Sequence, residues 1–187
     1  MNQDVKSALF EEGLLSYIDA LGAFKALYQE VWSRSTQSIE ANLDSLEGSL
    51  RRSVSRDSIR PYVYPDGTQL NSWDGSSTWV AAKLTVPGLC QVYAGISWWG
   101  EHGSSPEPRV IVDFAFDNRQ VFANLSQAVR DLTGGTVKIG TYKELFIAEA
   151  IGRTDTGCFA ERLDGIFKEW IDILGKVPPE TYSPAQQ

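Results

Sequence analysis

The sequence predicts an α+β fold, an antiparallel meander of three to five strands packed by N-terminal and C-terminal helices. Three features of the chain point to it. Apolar residues recur at three- and four-residue steps near both ends, the period of a helix with one buried face. In the centre they alternate with period two over three successive runs, the pattern of strands with one core face. The connections between those runs are short, as in an antiparallel meander.

Taken in order, residues 4–33 read as a helix, with Leu14, Ile18, Leu21, Phe24, Tyr28, Val31 and Trp32 on one stripe. Gly13 and Gly22 weaken it, by about 1 kcal/mol each relative to Ala. The polar run "SRSTQS" then interrupts the pattern, and Ile39, Leu43, Leu46 and Leu50 resume it as a narrower stripe. A single helix over 4–52 would be roughly 70 Å long at 1.5 Å per residue, beyond a compact domain of this size. Two helices with a break near residues 33–37 are therefore expected. An unbroken helix would have to project and pair with another chain.

The stretch 60–77 is rich in turn signals, Pro65-Asp66-Gly67 and Asp74-Gly75, with an edge strand expected at 62–64. The run at 78–86 sets Val80, Ala82, Leu84 and Val86 on one face and Trp79, Lys83 and Thr85 on the other. The run at 89–99 sets Cys90, Val92, Ala94, Ile96 and Trp98 against Gln91, Tyr93, Ser97 and Trp99. The third run, 109–117, sets Val110, Val112, Phe114 and Phe116 against Ile111, Asp113, Ala115 and Asp117. Asn118 then fits the N-cap of a helix that Gly134-Gly135 closes. A short strand is expected within 136–140, and a helix over "TYKELFIAEAIG". The last helix carries Phe159, Leu163, Ile166, Phe167, Trp170, Ile171 and Leu174 on a wide apolar face.

The 187 residues suit one domain, 42% hydrophobic and 22% charged. Its expected parts are a helical arm or hairpin over 1–52, a sheet-plus-helix body over 60–176 and a flexible Pro-rich tail over 177–187. A net charge of −7 disfavours nucleic acid, whose phosphates call for a basic stripe. The one dense basic run, Arg51, Arg52, Arg56 and Arg60, reads as a solvated helix end. Cys90 and Cys158 have no CxxC or Cys/His spacing, so no zinc site, metal or other cofactor is expected. The start lacks a basic-then-apolar leader and no run is long enough to span a membrane, so a cytoplasmic protein is expected.

Phosphate-loop, dinucleotide, nucleophile-elbow and HExxH motifs are absent from the sequence. The chemistry-bearing residues gather in "GISWWGEHGSSPEPRV", residues 95–110, which holds the only histidine, His102, beside Glu101, with Glu107 near the return. The nine-residue connection exceeds the usual hairpin loop. The expected function is a non-enzymatic protein–protein interaction module: an inhibitor, an immunity-type protein, a chaperone or an adaptor. It would act through Leu43, Leu46 and Leu50 and through an aromatic hairpin built from Trp79, Tyr93, Trp99, Glu101 and His102. The expected partner is another protein, with a homo-oligomer through residues 14–50 as one form. Two alternatives stand beside it. A small hydrolase or metal-dependent enzyme would use Glu101, His102 and Asp113 as catalytic residues. A ligand-binding module would stack its ligand on Trp79, Tyr93 and Trp99. The N-terminal helices need a surface to pack on and are expected to cover that aromatic patch.

Overall fold

Period-two alternation in the centre of the chain becomes a six-stranded antiparallel sheet in the computed structural model, which describes residues 3–64, 77–99, 107–140, 142–151 and 159–182. The strands are β1 (Arg60–Tyr64), β2 (Ser77–Val86), β3 (Cys90–Trp99), β4 (Glu107–Phe116), β5 (Lys138–Ile139) and β6 (Glu144–Ala150). They lie in the order β1-β2-β3-β4-β6-β5. The register stacks like on like: Val80 pairs with Ile96 and Ile96 with Val110, while Leu84 pairs with Val92 and Val92 with Phe114. All six side chains are buried, so each strand gives one face to the core. Gly88 turns β2 into β3 at φ 69°, where a side chain would be strained, and the Leu89 N–H donates to the Val86 carbonyl at 3.1 Å.

The helix expected over "TYKELFIAEAIG" is a correction: Glu144–Ala150 is strand β6, paired with β4 from Arg109↔Ala150 to Ala115↔Glu144. Its Leu and Ala residues favour a helix locally. The exposed edge of β4 overrides that preference, because the strand places Leu145 and Ile147 in the core and satisfies the backbone of β4.

Helix α1 spans Gln3–Leu50, α2 Arg119–Thr133 and α3 Phe159–Lys176. Asn118 caps α2 by accepting from the Gln120 and Val121 N–H groups at 2.7 and 3.1 Å, and Gly134 closes it in the left-handed region. In α3, Trp170 is fully buried, stacks at 4.6 Å on Phe114 and donates its indole N–H to the Val112 carbonyl at 3.2 Å. The tail is also corrected in part: Val177 and Tyr182 are buried, and the Tyr182 hydroxyl donates to the Leu174 carbonyl at 3.0 Å.

The expected break near residues 33–37 does not occur. Helix α1 runs unbroken for 48 residues, about 72 Å at 1.5 Å per residue. The polar run that looked like a loop is an interface between helices. Ser35 and Ser38 are buried, and the Ser38 hydroxyl donates to the Asp164 carboxylate of α3. Ser49 donates to the Ile171 carbonyl at 3.2 Å. Small hydroxyl side chains let two helices come close, and the run contains no Gly or Pro to break the helix.

All three helices bury into the face that carries Val80, Val92 and Val112, forming one cluster. Ala81 and Ile111 are buried on the opposite face and lie outside that cluster. The expected covering of the aromatic patch by the N-terminal helix is thus corrected. From Val31 onward α1 contributes to the core, while residues 12–27 and 29–30 have no buried or half-buried side chain among those described.

Candidate functional site

Two regions of the described chain carry features that packing alone does not require. The first is the sheet face turned away from the helices. Strand alternation puts Tyr62, Trp79, Tyr93, Ser97, Asp113 and Glu144 there. Tyr93 packs at 4.7 Å on Tyr62, tilted by 60°, and edge-on to Trp79 at 6.4 Å. Its hydroxyl donates to the Gln91 side chain at 2.6 Å. Gly95 sits beneath this cluster because nothing larger fits: a Cβ there would lie 2.2 Å from the Val80 carbonyl oxygen and 2.6 Å from the Ala81 Cα.

Asp113, which pairs with Tyr93 on one side and Phe146 on the other, is only 2% exposed. Its Oδ1 is buried without a hydrogen-bond partner among the described residues. Burial, then the charge of Glu144, pushes its carboxyl up to about 8, against the opposing hydrogen bond from the Phe114 backbone. Burial raises Glu144 as well. Tyr93 is pushed up to about 12 by burial and by the charges of Tyr62, Asp113, Glu144 and Asp117. Burial thus favours the protonated, hydrogen-bond-donating form of Asp113 near neutral pH. Ser97 on the same face also has a buried hydroxyl without a partner among the described residues. Among the described residues no three His, Cys, Asp or Glu side chains come together as metal ligands.

The expected site residues fare differently. Trp79 and Tyr93 share the face predicted for them. Asp113 shares it too, but as a buried acid and not as a solvated carboxylate. Trp99 ends β3, paired with Ser77 and Glu107; its side chain, and all of Glu101 and His102, lie outside the described residues. Leu43, Leu46 and Leu50 are a correction: they are buried against the chain's own sheet and α3, so they present no surface to a partner. Glu144 was missed because its segment was read as a helix. The signal was present in "ELFIAEA", where Leu145 and Ile147 alternate with Glu144, Phe146 and Ala148.

The second region is the front of α1. Leu14, Leu15, Ile18, Phe24 and Leu27 are 47%, 63%, 53%, 42% and 40% exposed. Single exposed leucines are ordinary, but a run of them along one helix is not accounted for by packing among the described residues. Residues 3–30 extend about 42 Å. Among the described residues, no helix is long and apolar enough to cross a membrane. Comparison with known proteins finds no matching family model, no matching curated protein and no matching solved structure.

Proposed function

We propose that this protein is a protein–protein interaction module, of the inhibitor, immunity, chaperone or adaptor kind, that engages its partner through the projecting front of α1. One observation supports the reading above all: the apolar run Leu14, Leu15, Ile18, Phe24 and Leu27 stands exposed on a helix whose rear half is anchored in the core. A lone helical arm with two glycines is marginal in water, and burial of an apolar face is the usual source of its stability. A cytoplasmic setting suits Cys90, a free thiol in the core whose ionisation burial suppresses.

The test compares tagged wild type with Leu14→Asp/Phe24→Asp in capture from the native cell. The wild type retains a bound protein and the variant loses it. Equal capture by the two, or none by either, refutes the arm as the functional surface.

A second reading, a ligand-binding or catalytic face, draws on Asp113: a carboxyl held toward its neutral form next to Tyr93, which packs in turn on Tyr62 and Trp79, suits a polar ligand with a flat apolar part. Asp113→Asn and Tyr93→Ala would then abolish ligand binding while leaving arm-dependent capture intact.

A further inference from the structure

We propose that the occupant of the α1 arm is a second copy of this chain, paired antiparallel about a two-fold axis near Asp19. This rests on reading the arm as an interaction surface. It follows from four properties of the helix.

The first is spacing. Leu14 and Tyr28 are two heptads apart with Leu21 midway in sequence, and Phe24 occupies the complementary position, which the sequence extends to Phe10 and Tyr17. This is the three-four alternation of a seam between paired helices, sustained over about two and a half heptads before Val31 turns into the chain's own core.

The second is the position of the body. At 3.6 residues per turn, Leu14, Tyr28, Ile39, Leu46 and Leu50 fall on one side of α1. The chain's own core therefore occupies, from Val31 onward, the same side on which the seam lies. A parallel partner would have to run into that body. An antiparallel partner ends there, and each tip abuts the other copy's body.

The third is self-complementarity. The antiparallel register centred near Asp19 sets Leu14 against the partner's Phe24, with position 17 against the partner's 21 and position 10 against the partner's 28, all apolar or aromatic in sequence. Beside the seam, Ile18 meets the partner's Ile18, and Ala20 meets the partner's Ala20. Gly13 stands across from the partner's Leu27, a gap opposite a large side chain. Lys25 is set beside the partner's Glu11, an attraction that the two-fold axis repeats.

The fourth is size and charge. Leu14, Ile18, Phe24, Leu27 and the uncovered part of Tyr28 each give up roughly 100 Å², so the pair hides on the order of 1,000 Å² through them, which is what a specific interface has to reach. An acidic membrane surface is the poorer match, since residues 3–30 carry Asp4, Glu11, Glu12, Asp19 and Glu30 against Lys6 and Lys25.

The experiment is the light-scattering mass of the full chain at high concentration, alone and as Leu14→Asp/Phe24→Asp. Wild type is expected at twice the 20.7 kDa chain mass and the variant at half the wild-type value, with unchanged urea unfolding of the body. A monomeric wild type overturns the inference while leaving capture of a different protein by the arm as a separate result. A dimer that persists in the variant overturns it too. Orientation is read with a short bis-maleimide: Ala20→Cys is expected to cross-link beyond the parent chain and Leu14→Cys is not. The reverse pattern means parallel pairing and refutes the geometry.

Discussion

Replacing Asp113 by Asn tests the central electrostatic feature of the sheet face. The amide has the shape of the neutral acid but cannot ionise. In the folded chain the Asp113 carboxyl is pushed up to about 8, whereas its ordinary value is 3.8. Below pH 4 or so both folded and unfolded chains hold the proton, and the full stability is present. Between about 4 and 8 only the unfolded chain releases it, so stability falls by ~1.4 kcal/mol per pH unit. Above about 8 both forms are ionised and the loss levels off. From pH 4.5 to 7 the wild type therefore loses about 3 kcal/mol through this one group. Glu144 titrates in both proteins, so the difference between them reports Asp113 together with its coupling to Glu144. Urea unfolding at half-unit steps from pH 4.5 to 8.5 is the assay. The stability of Asp113→Asn relative to wild type is expected to rise by about 3 kcal/mol between pH 4.5 and pH 7. Parallel pH profiles would refute the reasoning, because they would mean that Asp113 ionises freely in the folded chain.

Three further outcomes test the packing. Leu46→Ala removes a fully buried side chain and is expected to cost about 2–5 kcal/mol in urea unfolding, whereas Leu15→Ala on the arm stays within about 0.5 kcal/mol. Equal effects would contradict the division of α1 into anchor and arm. Gly95→Ala drives a methyl group into the Val80 carbonyl and should destabilise by about 1–3 kcal/mol, seen as a lower melting temperature; no change would contradict the close approach of β2 and β3 there. Asn118→Ala leaves the Gln120 and Val121 N–H groups of α2 uncapped, at a cost of about 1 kcal/mol or a melting temperature lower by roughly 2–4 °C.

The parts of this fold that were legible in the sequence are those set by local pattern. Alternation at Val80–Val86, Cys90–Trp98 and Val110–Phe116 places three strands and assigns their core face. The Asn118 cap and Gly134 bound α2, and the apolar face of Phe159–Leu174 marks α3. The errors fall where a distant partner decides. Ser35 and Ser38 read as a break because serines favour loops, yet Asp164, more than a hundred residues away in sequence, makes one of them a helix contact. Glu144–Ala150 read as a helix because nothing local shows that β4 has an open edge. That second error concealed the site as well, since Glu144 comes close enough to act on Asp113 only once β6 pairs with β4. Trp79, Tyr93 and Asp113 were found by parity alone. The arm's hydrophobic stripe was visible, but its exposure depended on where the body ends.

The strand order also determines how this sheet can fail. An antiparallel sheet invites further strands at its two borders, where unpaired backbone groups act as a template for aggregation. One border here is β1, five residues long and carrying Pro61, which has no N–H to offer. The other is β5, two residues long. Where β6 extends past β5, exposed Glu149 places a charge, and Arg162 donates to the Ala150 carbonyl at 3.1 Å. Growth by strand addition is discouraged at both borders, so a chain that carries an uncovered apolar helix still has a sheet that resists polymerising.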